Sequence, residues 1–472
     1  MSNGAPPTTR LRPSTIARYA AGSLGTGGFA TLPGLVLTYY LTDNLGVAAL
    51  FAGVVITVAK LWDVVIDPVI GALTDRQLRR TGTRRGYMLL GALTLPFLFA
   101  ATFAVPPALG PVVGGIWVLI AFTATATAFS LFQVPYIALP AELTSRYDER
   151  TRLLTWRVIV LTAAILLFGG GGPELRSLTG DPVSGYLLMG AVAGVVIAVG
   201  MLVATTVAHR GERSVEAPTA DRLDIRAHYA AGLHALRRSS PFRALLSTYV
   251  LQALATGLML AGAQYVAKYV MRSEDAVTLL FLALIAPALL AAPVWNLVSR
   301  RLGKTRSFRL ASLLFVVATL AITVAIWAPG AWLYVPVGLA GVAYAGMQAL
   351  PMAMLPDVIS HDEARHGDNH AGAFSGVWTA GETVGFALSA SALTLVLAVT
   401  GYVSSTAGGE SVQPAAAIDG IVVTFSIVPA VLTVLSLVTL ARYRLTRADT
   451  DTEPAIDTDA NADTEPTIDP AP

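Results

Sequence analysis

The stretch "KLWDVVIDPVIGALTDR", residues 60–76, lies inside a long apolar run yet carries Lys60, Asp63 and Asp67 within eight residues. If the run crosses a bilayer, each ionised side chain costs on the order of 3 kcal/mol on insertion scales. At about 100° per residue the three fall on one helical stripe, shared by Gly53 and Gly71. Val55, Val58, Trp62, Val65 and Val69 take the opposite face, suited to lipid or a neighbouring helix. Asp63 and Asp67 are i and i+4, with Cβ atoms about 5–6 Å apart. That separation lets one small cation bridge both carboxylates, or one proton be held between them. Pro68 lacks an N–H, so the Val64 carbonyl is expected to lose its helical donor, and freed carbonyls beside a cavity are typical ion ligands in transporters. Two acids against one base leave a negative charge over, which needs a cation, a proton or an arginine. The competing arrangement is a neutralised cluster, with Lys60 paired to Asp63 and Asp67 paired elsewhere.

The surrounding composition makes the membrane reading the right one. Hydrophobic residues are 54% of the 472 and charged residues 13%, and the mean hydropathy is +0.63. Apolar runs of about 20 residues recur along the whole chain, each long enough to span a bilayer. Twelve spans are expected near 17–41, 47–74, 87–107, 112–140, 152–171, 184–208, 242–270, 275–297, 308–328, 331–355, 372–400 and 417–441. Helix is the default for spans of this length, so the expected fold class is an all-α membrane protein. The absence of cysteine excludes disulfides, thiolate metal sites and cysteine nucleophiles. The N-terminal "MSNGAPPTTRLRPSTIARY" is polar and basic and lacks a signal peptide's apolar core, so the first run is expected to be a retained helix.

A net charge of +2 hides strong segregation. "DRQLRRTGTRRG", "TSRYDERTR", "SRRLGKTRSFR", "ARYRLTR" and the long loop at 209–241 hold most of the arginine. Alternate loops such as "VPPALGP", "APGA" and "SSTAGGESVQPAAAID" hold none. The positive-inside rule therefore predicts that both termini are cytoplasmic, and an even number of spans agrees by placing them on one side. The 209–241 loop divides the spans six and six. "VPYIALPAEL" (134–143) is echoed by "LPMAMLPDVI" (350–359), with Pro135, Leu139 and Pro140 matching Pro351, Leu355 and Pro356. "LTDRQLRRTGTRR" is echoed more weakly by "LVSRRLGKTR". The predicted organisation is a cytoplasmic segment 1–16, a six-helix bundle 17–208, a cytoplasmic loop 209–241, a second six-helix bundle 242–441 and a disordered acidic tail 442–472. Paired repeats with a midplane site between them are the architecture of secondary transporters.

Three motifs add a family resemblance. "KLWDVVIDPVIGALTDR" followed by "RRGY", "VPYIALPAELTSRYDERTRLLTWR" (134–157) and "LPDVISHDEARHGDNHAGAFSGVWTAGETVG" (355–385) occur in that order. Together they resemble the glycoside–pentoside–hexuronide:cation symporters, a branch of the major facilitator superfamily that includes melibiose permease. The resemblance implies twelve helices, alternating access and symport of a solute, by family habit a sugar or glycoside, with H⁺ or Na⁺. It places Asp63 and Asp67 on the cation-site carboxylates and Arg157 on an arginine facing the solute. Ser130 is a further candidate oxygen for the cation. Ile66 stands where Asn is frequent, Gln133 where melibiose permease has a sugar-binding Asp, and Thr383, preceded by Glu382, where the family has Lys. Tyr136 and Trp378 complete the expected solute contacts.

Other polar positions have simpler expectations. Lys268 is expected to snorkel, and Glu382 to pair with Arg157 or Lys268. Asp75, Glu142 and Asp357 are expected to pair near the cytoplasmic ends with loop arginines such as Arg76, Arg84 and Arg85, forming an inner gate; Asp148, Glu149, Asp362 and Glu363 belong to the same group. His361, His366 and His370 are expected in a solvated loop. No cofactor or metal is expected beyond a coupling Na⁺ at Asp63 and Asp67. No nucleophile–base pair or phosphate loop points to an enzyme. The expected partners are a small solute and the lipid bilayer, not nucleic acid, with a monomer in the bacterial cytoplasmic membrane. The rival functions on the same fold are proton-coupled export of a drug or natural product and lysolipid symport.

Overall fold

The computed structural model describes residues 10–144, 146–208, 234, 236–366, 371–407, 409, 411–443 and 445. Most of the 209–241 loop, His370, and the tail beyond 445 lie outside the described residues, as do the side chains of Asp148 and His366. Among the described residues, twelve helical segments are long and apolar enough to cross a membrane. They are α1 (Pro13–Asn44), α2 (Ala49–Thr81), α3 (Arg85–Thr102), α4 (Pro107–Pro140), α5 (Glu149–Ser177), α6 (Pro182–Thr205), α7 (Ser240–Val270), α8 (Ala276–Leu302), α9 (Lys304–Ile326), α10 (Ala331–Arg365), α11 (Gly372–Val399) and α12 (Ala415–Leu440). Among the described residues the β structure is one isolated antiparallel bridge, Leu45 to Thr406.

The observed helices overrun several predicted spans. α2 continues to Thr81 and α10 to Arg365. Hydropathy marks only the part that suits hydrocarbon, whereas leucine, glutamine and arginine keep a helix going into water. α2 stops where Gly82, at φ 71°, takes the left-handed conformation and donates its N–H to Leu78 O at 2.8 Å. For the same reason His361 sits on α10 rather than in the expected loop. Asp181 caps α6: its carboxylate accepts from Ser184 N at 2.9 Å and from the Ser184 hydroxyl at 2.8 Å. These bonds hold its carboxyl below the usual carboxylate range.

The prolines inside α2, α4 and α10 leave those helices continuous. Irregularity falls elsewhere. α1 and α7 each end in a π turn, Tyr40–Asn44 and Val266–Val270, and π turns are frequent at functional sites. Small residues let backbones approach, as in other membrane bundles. A Cβ on Gly27 of α1 would stand 3.0 Å from Leu161 O of α5, and one on Gly385 of α11 would stand 3.0 Å from Val250 O of α7.

Among the described residues the main helix–helix contacts between the first six helices and the last six are α1 with α7, α2 with α11, and α5 with α8. Val58, Trp62 and Val65 face outward from α2, whereas Val55 is buried. The stripe carrying Asp63 and Asp67 is thereby turned away from the exposed face.

Candidate cation and solute site

Asp63 and Asp67 are half-buried on α2. The Oδ1 atom of each is buried and has no hydrogen-bond partner. Buried polar atoms are paired in the great majority of cases, so two orphaned carboxylate oxygens one turn apart are open to a cation or proton. Ser130 of α4, 4% exposed, is placed to donate its hydroxyl to Asp67. Lys60 does not form the ion pair that would neutralise the cluster. Its ammonium lies instead over two rings, 5.3 Å from the centre of Phe29 and 5.6 Å from that of Phe122.

The other predicted solute residues divide. Gln133 faces α1, where its amide oxygen accepts from Thr26 Oγ1 at 2.8 Å. Arg157 of α5 is half-buried and lies 5.4 Å from the centre of the Tyr136 ring. Tyr136 itself corrects the expectation of a solute contact. It is 0% exposed, stacks between Tyr19 and Phe132, and donates its hydroxyl to Tyr19 O at 2.9 Å. Its hydroxyl and both ring faces are occupied, because α1 crosses directly over it.

On the last six helices, Glu382 pairs with neither Arg157 nor Lys268. Its Oε1 accepts from the Tyr249 hydroxyl of α7 at 2.7 Å. Trp378, one turn earlier on α11, stacks on Tyr249 with ring centres 4.4 Å apart. It is 3% exposed, and its indole Nε1 has no hydrogen-bond partner. Thr383 is half-buried beside Glu382.

The expected gate is redistributed. Arg84 binds both Asp75 and Glu142, each at 2.6 Å, so all three stay on α2–α4 and the segments just beyond them. Arg76 is exposed. Asp357 pairs with Lys304 at 2.6 Å and Asp362 with Arg238, both within the later part of the chain. Glu149 accepts from Leu11 N at 3.0 Å. None of these pairs joins the first six helices to the last six.

The joining bonds lie at the opposite end. The Asp43 side chain is fully buried and accepts from Thr42 Oγ1 at 2.7 Å, from the Tyr402 hydroxyl at 2.5 Å and from the Tyr269 hydroxyl. Lys268 does not snorkel freely; it stands 3.8 Å from Asp43 and 3.7 Å from Glu274. Arg176 of α5 reaches Glu274 at 3.2 Å. Ser405 N donates to Thr42 O and Ala407 N to Asn44 O, both at 2.9 Å, zipping the α11–α12 loop onto the end of α1. A cavity of about 420 Å³ beside this seam is lined by Tyr39, Asp43, Arg176, Tyr186, Lys268 and Glu274. Sequence reading missed this cluster because Asp43 fell just past the end of span 1 and Arg176 counted as a loop charge. The tyrosines around them were the available signal. Among the described residues no group of three or more His, Cys, Asp or Glu is placed to hold a metal ion.

The profile of the family described as MFS/sugar transport protein matches residues 18–447. The chain belongs to the MFS/sugar transport family. Its resemblance to the glycoside–pentoside–hexuronide:cation symporters is borne out by its relatives. A putative glycoside/cation symporter of Escherichia coli is 25% identical over 452 residues, covering 93% of this chain and 94% of that one. A putative sulfoquinovose importer of Escherichia coli is 24% identical, covering 93% and 92%. A shorter match, to an uncharacterized symporter of Synechocystis, is 36% identical over 31% of this chain and 28% of the other. Among solved structures, the fold overlaps a bacterial homologue of the iron transporter ferroportin. The TM-score is 0.64 for the inward-facing state, at 16% identity over 91% of this chain and 97% of that chain. It is 0.55 for the outward-facing state, at 17% identity over 92% and 99%. This member of the MFS/sugar transport family is a multi-pass protein of the bacterial cytoplasmic membrane, and its activity is secondary transport of a solute.

Proposed function

We propose that the protein is a cation-coupled symporter in which Asp63 and Asp67, with Ser130, hold the coupling ion, H⁺ or Na⁺. The observation that carries this is the pair of buried, unpartnered carboxylate oxygens on α2. The solute is a sugar or glycoside, in line with the glycoside and sulfoquinovose named for the relatives. Gln133, Arg157, Glu382, Thr383 and Trp378 line its path, and Arg157 suits a carboxylate or sulfonate substituent. Coupling is transport, not catalysis, so no residue is assigned an enzymatic role.

The two bundles, 17–208 and 242–441, are repeats, and both termini and the 209–241 loop face the cytoplasm. That orientation makes the Asp43 seam the closed outer gate and leaves the Arg84 end open inward, in keeping with the better overlap with an inward-facing relative of the fold. The working unit is a monomer.

One elementary charge moving through about 100 mV supplies about 2.3 kcal/mol, roughly a 50-fold solute accumulation. A thermal-shift screen against sugars and glycosides identifies a ligand by mass action. Its uptake is then followed in proteoliposomes under an imposed pH or Na⁺ gradient. Asp63→Asn is expected to abolish accumulation while sparing downhill exchange. Accumulation by that variant at the wild-type level would overturn the assignment.

A further inference from the structure

Lys60 stands one helical turn from Asp63 and makes no ion pair within 4 Å among the described residues. It is near enough to act on Asp63 electrostatically. Its ammonium stands instead over Phe29 of α1 and Phe122 of α4, whose stacked rings are 5.9 Å apart centre to centre. A half-buried cation and two carboxylates, each with a buried unpartnered oxygen, therefore lie near one another without being paired. The charged groups of the helices packed around Lys60 are remote along their sequences: Arg18 and Asp43 near the ends of α1, and Glu142 just past α4. Glu382 of α11 is engaged by Tyr249.

We infer that Lys60 is a tethered counter-cation that exchanges between the Phe29 and Phe122 rings and the Asp63–Asp67 carboxylates. The inference rests on the reading of Asp63 and Asp67 as the coupling site. With the coupling ion bound, Lys60 rests over the rings; when the ion leaves, it takes the vacated place. Cation–π attraction and ion pairing of a desolvated ammonium are of the same order, and a lysine side chain spans one helical turn. The position is therefore switchable by an arriving ion. The consequence is kinetic. A carrier crossing with two bare buried carboxylates meets a large desolvation barrier, which Lys60 lowers on the return of the empty protein. Lys60 is a positioning residue: it acts through the carboxylates.

The experiment needs no solute. Cysteines replacing the exposed Arg80 and Arg301 in the full-length, otherwise cysteine-free chain carry a fluorophore pair. Single-molecule energy transfer then reads opening and closing, with Na⁺ alone at pH 8 or with a change from pH 8 to pH 5 as probes. Lys60→Met is expected to slow interconversion of the ion-free protein about tenfold or more. It should also lower the half-saturating cation concentration, since the internal competitor is gone. Lys60→Arg should keep interconversion near wild type. Phe122→Leu, which removes one of the two rings under the ammonium and frees Lys60 toward the carboxylates, should raise the half-saturating concentration. A purely structural lysine would not move affinity in opposite directions in these two variants. Wild-type ion-free rates in Lys60→Met, or unchanged cation affinity in Phe122→Leu, would overturn the inference; if Lys60→Met does not fold, Phe122→Leu decides alone. Asp63→Asn separates the two readings. If it keeps the full cation response, the coupling site itself is wrong. If it loses the response while Lys60→Met exchanges normally, only the role of Lys60 falls.

Discussion

At the scale of single residues, the membrane interior rewards side chains that use every polar atom and leaves the exceptions conspicuous. Tyr136 uses all of its own: its hydroxyl donates to Tyr19 O and lies 3.1 Å from Ser23 Oγ. Tyr136→Phe leaves Tyr19 O with the Gly22 N–H at 3.1 Å but takes from the buried Ser23 hydroxyl its partner, at a cost of about 1–3 kcal/mol. We expect a lower melting temperature in detergent with ligand affinity little changed; an affinity lost at unchanged melting temperature would return Tyr136 to the solute site. Asp63, Asp67 and Trp378 are among the exceptions in the described residues, with Tyr19, Gln252, Ser307 and Thr323, each with a buried polar atom unmet. Desolvating such groups is costly, and a transporter can recover that cost only from its cargo.

At the scale of elements, the α2–α11 contact joins the coupling helix to the last six helices. Thr57 Oγ1 donates to Ala387 O at 3.0 Å and meets Ser391 Oγ at 2.6 Å. Gly53, one turn earlier, has no room for a side chain: a Cβ there would stand 3.2 Å from the Ser391 Cα and press on Thr394. Gly53→Val must therefore push α2 off α11 at the end where Asp43 closes the seam. The expected result is faster reaction of a cysteine replacing Asn44, which lines the cavity beside that seam, with an impermeant maleimide. An unchanged labelling rate in the folded variant would mean that this contact does not govern opening.

At the scale of the molecule, every helix end alternates between the Arg84 side and the Asp43 side. Orientation then follows from one fact, which side is cytoplasmic. The arginine-rich loops predict the Arg84 side. A cysteine replacing Arg80 should resist an impermeant reagent added to intact cells, whereas one replacing Ala328 should react. The reverse pattern would invert the orientation and turn the Asp43 seam into an inner gate.

The sequence by itself determined the number of spans, because burial of about 20 apolar residues per crossing is a one-dimensional property. It also determined which helix carries the surplus charge, since Lys60, Asp63 and Asp67 share a stripe by periodicity alone. Helix ends were less legible, as His361 on α10 illustrates, because helix propensity does not stop at the hydrocarbon edge. The partners of each charge were decided only by the tertiary structure. Lys60 adjoins Asp63 along the chain yet lies over Phe29 and Phe122, and Glu382 met Tyr249 rather than Arg157 or Lys268. Asp43 looked like a loop residue, yet it is fully buried where α1, α7 and the α11–α12 loop converge. Pairing depends on which faces of distant helices pack together, and local periodicity fixes only the face each helix offers.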